Sequence, residues 1–252
     1  MNKSTLLTLL EQVRDGGVEV GAAVLALEQL PFSELEDAVV DHHRALRQHV
    51  PEVIFAPGKT VEQIVSVARA ILDHGQNLLI TRLDEKKAAG VCQSIPELNY
   101  ESVARVGVYA PHPVVPLTDD CVAVVTAGTS DIPVAEEVMA TLKASGVPTI
   151  RIVDVGVAGI HRLFAKLEPI SKAKVVIVVA GMEGALASVL GGIISGPLIA
   201  VPTSVGYGVS RDGYAALIGM LSSCAAGVTV VNIDNGFGAA MAAVRILAGS
   251  KS

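Results

Sequence analysis

The sequence has few of the residues on which several large classes of protein depend. It contains no tryptophan, and only 3% of its residues are aromatic, which argues against a nucleic-acid binder that stacks bases on aromatic rings. Its formal net charge of -6 also argues against a polyanionic partner. Glycine, serine, proline and charges interrupt every apolar run well before the ~18 residues that a membrane helix needs. We therefore expect neither a nucleic-acid partner nor a membrane partner.

Cysteine is scarce as well. The three cysteines, Cys92, Cys121 and Cys224, are an odd number and lack the spacing of metal ligands. The N-terminal segment becomes charged too soon, and its apolar part is too short, for a signal peptide. These features are typical of a cytoplasmic protein with free thiols, and we expect that location.

Small and aliphatic residues are abundant instead. The hydrophobic fraction is 51% and there are 24 glycines, a composition that favours helices packed tightly on a sheet. The first half predicts helices at 3–14, 20–30, 33–48, 60–73 and 84–91, with short strands at 51–56, 78–80 and 106–109. Three prolines between residues 110 and 116 exclude a regular helix there. We place a domain boundary at this point, between a smaller α+β domain (1–116) and a second domain (117–252).

The second half alternates regularly between apolar runs and helical patterns. Strands are predicted at 122–125, 149–153, 175–179, 198–201 and 228–232, and helices at 132–144, 158–167, 184–194, 211–221 and 237–248. This alternation predicts a doubly wound parallel α/β sheet of about five strands. In such a sheet the ligand lies beyond the carboxyl ends of the strands, where the strand order reverses.

The loops at those strand ends are rich in hydroxyls and carboxylates, which suit a phosphorylated small molecule and Mg²⁺. They contain Thr129, Ser130, Asp131, Asp154, Glu183, Thr203, Ser204, Tyr207, Asp234 and Asn235. The first loop, Gly128 to Asp131, leads into a helix N-terminus that could bind a phosphate or carboxylate. The same residues would also suit a purely structural cap, with Ser130 or Asp131 as the capping residue, so both interpretations stay open.

Two patterns in the first half resemble metal-binding or phosphate-binding motifs. His42 and His43 are adjacent, and adjacent side chains on a helix point about 100° apart, which favours a solvated or substrate-facing helix over a metal site. Gly58-Lys59-Thr60 resembles the end of a P-loop, but Val53 stands where that motif needs glycine. The sequence therefore does not predict a P-loop here, and the remaining prediction is that Lys59 makes a contact through its positive charge.

The second half contains Gly-Thr-Ser-Asp at 128–131, Ala180-Gly181, and a small-residue segment at 238–243. In these stretches it resembles the PurE family of aminoimidazole ribonucleotide carboxylases and mutases, and the resemblance implies a flavodoxin-like sheet. Over residues 40–245 the chain resembles the LarB family, in the stretches 41–44, 51–55, 58–60, 127–131, 179–186, 202–208 and 232–236. PurE enzymes carry a proton-transferring histidine after the third strand. Ala185 to Val189 stands there instead, which fits LarB better.

The LarB resemblance implies a carboxylase and hydrolase. Such enzymes carboxylate C5 of the pyridinium ring of nicotinic acid adenine dinucleotide and cleave its phosphoanhydride. The products are AMP and pyridinium-3,5-biscarboxylic acid mononucleotide, used for the nickel-pincer cofactor. CO₂ or bicarbonate is the second substrate, and Mg²⁺ would be held largely by the substrate phosphates. The chemistry needs a nucleophilic cysteine, a base and a metal-aided hydrolysis.

The resemblance also implies roles for particular residues. Cys224 matches the nucleophile, Glu183 is the candidate base, and Asp131 is a third catalytic candidate. The candidate substrate-binding residues are Gly128, Thr129, Ser130, Asp154, Gly181, Met182, Thr203, Ser204, Tyr207, Arg44 and Lys59. Several of them have a plainer alternative: a buried hydrophobic position for Cys224, a helix-dipole charge for Glu183, a turn for Asp154, and surface charges for Arg44 and Lys59.

Cys224 precedes the fifth predicted strand, which puts it at the amino-end edge of the sheet, away from the other candidates. PurE-like proteins form octamers with their sites at subunit contacts. We therefore expect a homo-oligomer, an octamer, in which Cys224 completes a neighbour's site. Two other functions remain open: a PurE-type carboxylase or mutase acting on a purine precursor, and a non-catalytic nucleotide-binding scaffold.

Overall fold

The computed structural model describes residues 3–28, 32–48 and 50–249. The chain divides into two compact units, unit 1 (residues 1–114) and unit 2 (residues 115–252). Each unit has its own hydrophobic core and is described separately.

Unit 1 combines helices with two small sheets. Its elements are α1 (Lys3–Arg14), α2 (Val20–Glu28), β1 (Phe32–Glu34), β2 (Val39–Asp41), α3 (Arg44–Gln48), β3 (Val53–Phe55), α4 (Val61–Asp73), β4 (Leu78–Thr81), α5 (Glu85–Ser94), β5 (Asn99–Glu101) and β6 (Val106–Tyr109). Strands β1 and β2 form an antiparallel hairpin. The second sheet has the order β3-β4-β6-β5, in which β3 is parallel to β4 and the other pairs are antiparallel. This is the smaller α+β region that the sequence predicts.

Helix α4 shows why unit 1 folds as it does. Its residues Ile64, Val67, Ala68 and Ile71 are buried, at the spacing that places side chains on one face of a helix. Thr60 caps the helix: its Oγ1 accepts from the Gln63 amide at 3.2 Å, while the Thr60 amide donates to Gln63 Oε1 at 3.0 Å. This reciprocal capping satisfies two amides that have no intrahelical partner.

The helix predicted over residues 33–48 is wrong for most of its length. The structure has the hairpin β1–β2 there, closed by a bond from the Leu35 amide to the Ala38 carbonyl (2.7 Å), and only the short α3. The β-branched Val40 is buried in the core of unit 1, a tertiary contact that local helical spacing cannot reveal. The predicted helix 20–30 is α2, and its last two predicted residues lie outside the described residues.

The paired histidines therefore do not stand on a solvated helix. His42 is buried, its Nε2 lies 2.7 Å from the Oγ of Ser33, and its ring stacks on that of His74 with the centroids 3.4 Å apart. Burial, followed by the charge of His74, lowers the pKa of His42 to about 4. His42 is thus a neutral core side chain at physiological pH.

Unit 2 is a single parallel sheet with helical crossovers. Its elements are β7 (Val122–Thr126), α6 (Ile132–Ala144), β8 (Thr149–Ile152), α7 (Ile160–Phe164), α8 (Leu167–Lys172), β9 (Val175–Ala180), α9 (Ala185–Gly191), β10 (Leu198–Pro202), α10 (Tyr214–Leu221), β11 (Val228–Val230) and α11 (Gly236–Gly249). The strand order is β11-β10-β9-β7-β8, and all pairs are parallel. This is the flavodoxin-like order, and it confirms the predicted doubly wound five-stranded sheet.

Burial follows position in the sheet. Every residue of β7, β9 and β10 is buried, whereas the edge strands β8 and β11 are only partly covered. Strands covered on both faces need continuous apolar runs, which is how the sequence encodes them. The helix predicted over 158–167 is instead divided into α7 and α8. Across the described part of the chain, none of the helices has the length and apolar character to cross a membrane.

Candidate active site

The candidate site of unit 2 lies at the carboxyl edge of its sheet. The strand order reverses between β7 and β9, so the loops that follow these strands diverge and leave a crevice between them. The loops after β10 and β11 continue the same edge. Four chain segments far apart in the sequence therefore meet at one place.

Asp131 is the central polar side chain of this edge. It is only 3% exposed, its Oδ2 accepts from the Gly128 amide at 2.9 Å, and its Oδ1 accepts from the Thr203 hydroxyl at 2.7 Å. Burial raises the pKa of Asp131. The bonds from Thr203 and Gly128 oppose this change, and the negative charge of Asp234 adds to it. Asp131 is thus a carboxyl group that holds its proton more tightly than an ordinary aspartate.

The contacts of Asp131 bear on the two interpretations of the loop 128–131. Asp131 occupies the N-cap position of α6, yet its carboxylate is directed at Gly128 and Thr203 rather than at the amides of the helix. The side chain therefore closes the loop after β7 onto the loop after β10. It does more than cap a helix, because it joins two loops across the intervening strand β9.

The loop after β9 packs against the loop after β10 so closely that glycine is required. A Cβ at Gly181 would collide with the carbonyl oxygen of Val205 and lie 2.7 Å from Thr203 Oγ1. The next residue, Met182, has a left-handed φ of 53° and donates its amide to the same Val205 carbonyl at 2.9 Å. This contact leaves Glu183 exposed beside the loop. Gly181 and Met182 thus fix the direction in which Glu183 leaves β9.

Two further aspartates stand at the edge in left-handed conformations. Asp154 has φ 59° and forms an ion pair with Arg162 at 2.6 Å, and its amide donates to Thr126 Oγ1 at 3.1 Å. Asp234 has φ 54°, and its Oδ1 accepts from the Ser204 amide at 2.8 Å. Aspartate tolerates this backbone region better than most residues. The charge of Asp154 is balanced locally, which makes it a poor candidate for a metal ligand.

The structure thus brings together most of the predicted site residues of unit 2. Those linked by hydrogen bonds or close contacts are Gly128, Asp131, Gly181, Met182, Thr203 and Ser204, together with Asp234. Thr129, Ser130, Glu183 and Tyr207 are exposed on the same loops. Among the described residues there is no group of three or more His, Cys, Asp or Glu side chains that could hold a metal ion.

Cys224 lies on the opposite edge of the sheet. It stands in the turn between α10 and β11, where the hydroxyl of the neighbouring Ser223 accepts from Ser188 Oγ at 2.8 Å. Ala225 packs against Gly191, the last residue of α9, which runs from the carboxyl edge back to the amino edge. The thiol is exposed, so the alternative of a buried hydrophobic position for Cys224 is wrong.

The two candidates of unit 1 make local contacts. Arg44 forms an ion pair with Glu52 at 2.8 Å, and both side chains are largely buried. The Lys59 ammonium donates to the Phe55 carbonyl at 3.0 Å. Arg44 is therefore held by Glu52, whereas the Lys59 ammonium keeps donors available for another group.

Sequence reasoning missed two residues of unit 2. Arg162, the partner of Asp154, lies eight residues further on and gave no pattern that would identify it. Glu137 is buried on α6, and its Oε2 accepts from the Phe237 amide at 3.2 Å, at the start of α11. A carboxylate among the buried positions Ala135, Val138 and Leu142 was a signal that could have revealed Glu137.

Comparisons with known proteins agree with this architecture. Residues 121–252 match the family model described as AIR carboxylase, and residues 32–111 match the model described as LarB/PurE-like N-terminal domain. The second unit is therefore a PurE-like domain of the carboxylase and mutase class. With the LarB-type domain in front of it, the chain belongs to the LarB family.

One relative matches almost the whole chain and another matches half of it. An uncharacterized protein of Methanocaldococcus jannaschii is 36% identical over 93% of this chain and 93% of its own length. The N5-carboxyaminoimidazole ribonucleotide mutase of the same organism is 34% identical over 50% of this chain and 78% of its own length. Among solved structures, PurE of Treponema denticola is 24% identical, with a TM-score of 0.41, and covers 50% of this chain and 79% of its own.

Proposed function

We propose that this protein is a cytoplasmic carboxylase and hydrolase of the LarB type. It would carboxylate C5 of the pyridinium ring of nicotinic acid adenine dinucleotide and cleave the phosphoanhydride. The products would be AMP and pyridinium-3,5-biscarboxylic acid mononucleotide, a precursor of the nickel-pincer cofactor. The observation that carries this proposal is the LarB-type N-terminal domain, matched over 32–111, in front of a PurE-like domain.

The chemistry requires a nucleophile before it requires a base. A pyridinium ring is electron-poor and does not attack CO₂. Addition of a thiolate at C4 removes the aromaticity and makes C5 an enamine-like carbon, which then bonds to the carbon of CO₂. A base takes the C5 proton, and the C4–S bond breaks with its electrons returning to sulfur. The ring regains its aromaticity and the thiolate is recovered.

Solvent accessibility favours Cys224 as the nucleophile and Glu183 as the base. Cys224 is the exposed cysteine of the described residues, whereas Cys92 and Cys121 are partly buried. Glu183 is exposed next to Gly181 and Met182. Asp131 is nearly inaccessible, and both its oxygens already accept hydrogen bonds. We assign Asp131 to positioning the loops around the substrate.

The donor set fits Mg²⁺ that is held mainly by the substrate. Mg²⁺ commonly uses one or two carboxylates together with substrate phosphates and water, and the carboxyl edge offers Asp234 for such a contact. Mg²⁺ bound in this way would polarise the phosphoanhydride that water cleaves. The protein's own part is to hold the phosphates, for which the Ser130 and Ser204 hydroxyls are candidates.

The separation of Cys224 from the carboxyl edge supports a homo-oligomer, as PurE-like octamers would provide. Tyr214, Ile218 and Leu221 are each more than 60% exposed on α10, and their spacing places them on one helical face. An apolar face of this kind is typical of an interaction surface. In the proposed assembly, Cys224 of one subunit completes the site formed around Asp131 of another.

A mass-spectrometric end-point assay tests the function. The purified protein is incubated with nicotinic acid adenine dinucleotide, bicarbonate and Mg²⁺, beside Cys224→Ser and the matched control Cys92→Ser. We expect AMP and a mononucleotide heavier by one carboxyl group from the wild type and from Cys92→Ser, but not from Cys224→Ser. AMP without the carboxylated product would refute the carboxylase assignment.

A second candidate function is a PurE-type carboxylase or mutase. The similarity of half of this chain to an N5-carboxyaminoimidazole ribonucleotide mutase favours it. Turnover of aminoimidazole ribonucleotides in the same assay, with no turnover of the dinucleotide, would establish this alternative. A non-catalytic scaffold would turn over neither, and its Cys224 thiol would react no faster than Cys92 or Cys121.

A further inference from the structure

The turn that carries Cys224 is attached to helix α9 on both sides of the cysteine. This cysteine turn comprises residues 222–227, between α10 and β11. Exposure alternates along it: Ser222, Cys224 and Ala226 are exposed, whereas Ser223 and Ala225 are partly buried. The cysteine therefore points away from the protein, while its two neighbours in the chain make the contacts that hold the turn.

Ser223 makes the first attachment. Its Oγ accepts from the Ala225 amide at 3.1 Å and from the Ser188 hydroxyl, on α9, at 2.8 Å. The bond to Ala225 closes the backbone around Cys224, because it joins the residues before and after it. The bond to Ser188 ties this closed turn to the helix. A hydroxyl oxygen has two lone pairs, so the Ser223 side chain is fixed from two directions.

The second attachment is a close contact between Ala225 and Gly191. A Cβ at Gly191 would lie 2.9 Å from Ala225 Cβ and 3.0 Å from Val228 Cγ2. Non-bonded carbon atoms are normally at least about 3.5 Å apart, so a side chain at this position would push the turn outwards. The neighbouring Gly192 differs, because the atoms nearest to a Cβ there are 3.6 Å and 3.7 Å away. Close approach of the turn therefore depends on glycine at position 191 and not at 192.

Helix α9 is a firm support for the turn. Leu186, Ala187 and Leu190 of this helix are buried in the core of unit 2. Ser188 and Gly191 are three residues apart, a spacing that places them on one face of the helix. One face of α9 thus packs in the core and another holds the cysteine turn. A reactive group supported in this way is placed more precisely than one on an unattached loop.

We propose that Ser188, Ser223 and Gly191 are positioning residues for the Cys224 thiol. The inference rests on the proposed function, because it takes Cys224 as the nucleophile. Addition to C4 of a pyridinium ring requires the sulfur to approach the ring from one direction, and a displacement of about 1 Å can lower the rate of such a step about 100-fold. The three residues act through the backbone of the turn, not on the reacting atoms.

Two pairs of adjacent residues provide matched variants. Ser223→Ala is compared with Ser222→Ala, and Gly191→Ala with Gly192→Ala. Initial rates with nicotinic acid adenine dinucleotide, bicarbonate and Mg²⁺ give kcat and KM for each variant. The rate at which iodoacetamide alkylates Cys224, followed by mass spectrometry of the peptide that contains it, measures the reactivity of the thiol without the substrate.

We expect Ser223→Ala to lower kcat at least about tenfold and Gly191→Ala to lower it about 10- to 100-fold, with KM within twofold of wild type. Both control variants should stay within twofold in kcat. Alkylation should stay within twofold in all four, because the thiol is exposed and a small reagent can approach it from many directions. Unchanged kcat in both Ser223→Ala and Gly191→Ala would overturn the proposal. Equal losses of kcat and alkylation would do so too, because they would show that the thiol is activated and not positioned.

The role of Ser188 is tested through its dependence on Ser223. The double variant Ser188→Ala/Ser223→Ala should be no slower than Ser223→Ala, because Ser188 acts only through the Ser223 hydroxyl. Ser188→Thr keeps a hydroxyl group and should retain more of the wild-type kcat than Ser188→Ala. Losses that add up in the double variant, or no difference between threonine and alanine, would exclude Ser188 from the positioning residues.

Hydrogen exchange separates this inference from the proposed function. The Ala225 amide should exchange at least about tenfold faster in Ser223→Ala, which removes its acceptor, and at the wild-type rate in Ser222→Ala. If the wild type shows no turnover but exchange changes in this way, the proposed function fails and the attachment of the turn to Ser223 stands. If the wild type turns over and neither Ser223→Ala nor Gly191→Ala lowers kcat, the proposed function stands and the positioning role fails.

Discussion

The two edges of the sheet in unit 2 are built for different tasks. At the carboxyl edge, Asp131 accepts hydrogen bonds from Thr203 and Gly128, and Asp131 and Thr203 are almost inaccessible to solvent. At the amino edge, the exposed Cys224 stands in a turn between two elements. The first arrangement is suited to hold a shape, and the second exposes the thiol that we propose as the nucleophile. The difference teaches that one copy of the sheet separates the proposed nucleophile from the loops around Asp131.

The largest expected effect comes from the amino edge. Cys224→Ser should lower the rate of carboxylation at least about 1,000-fold, because a hydroxyl is far less nucleophilic than a thiolate. The thermal unfolding midpoint should stay within about 2 °C, because the side chain is exposed. The measurement is product formation by mass spectrometry together with a thermal melt. Retained carboxylation would end the assignment of reactivity to this edge.

The next prediction concerns the two edges together. Glu183→Gln should lower the rate about 100-fold, the usual contribution of a general base. If the edges of different subunits combine, unfolding and refolding Cys224→Ser with Glu183→Gln as a mixture should restore activity that neither variant has alone. The unmixed variants, refolded separately, are the control. A mixture as inactive as its parts would show that both residues act within one subunit.

A third prediction tests the packing of the carboxyl edge. Gly181→Ala should lower the free energy of unfolding by about 1–3 kcal/mol, because the added methyl collides with the Val205 carbonyl and Thr203. Gly249→Ala is the control, since nothing lies within 4 Å of a Cβ there. Urea denaturation measures both. Equal stabilities of the two variants would mean that the loops after β9 and β10 are not in close contact.

The raised pKa of Asp131 predicts how stability depends on pH. A carboxyl group whose pKa is raised on folding binds its proton more tightly in the folded state, so its contribution is fully present below about pH 3.9, the pKa of unfolded aspartate. That contribution is lost as the pH rises through the folded pKa. The stability of wild type relative to Asp131→Asn, from urea denaturation, should therefore fall with rising pH. A difference that rises instead would contradict burial as the dominant cause.

The smallest effect is expected at Asp154. Its ion pair with Arg162 is partly exposed, 46% at the Asp154 side chain and 39% at the Arg162 side chain, so Arg162→Gln should change the free energy of unfolding by no more than about 1 kcal/mol. The change should shrink further in high salt, because salt screens exposed charges. A cost above about 2 kcal/mol would show that this part of the edge is as tightly built as the group around Asp131.

The sequence was a good guide to the fold where apolar runs are continuous. Strands β7, β9 and β10 are buried along their whole length, and their apolar runs together with the regular crossovers predicted the parallel sheet. It was a poor guide around the hairpin β1–β2. There, Val40 and His42 are buried by contacts with residues distant in the chain, and no local period reveals such contacts.

The candidate site was predicted in its location but not in its contacts. The loop positions followed from the topology, as did the separation of Cys224 from them. The hydrogen bond between Thr203 and Asp131 joins residues 72 positions apart. The ion pair between Asp154 and Arg162 depends on how α7 returns to the sheet. Pairings of this kind are set by three-dimensional packing, and a single sequence does not specify them.

Asp154, Met182 and Asp234 have a consequence for protein engineering. Each follows a strand of unit 2 and holds a left-handed backbone without being glycine. Replacement of Met182 by glycine would relieve this strain, so a selection for thermostable variants would favour it. It would also free the loop that directs Glu183. A library selected for heat resistance alone should therefore accumulate glycine here and lose turnover, whereas one selected for turnover should keep the strained residues.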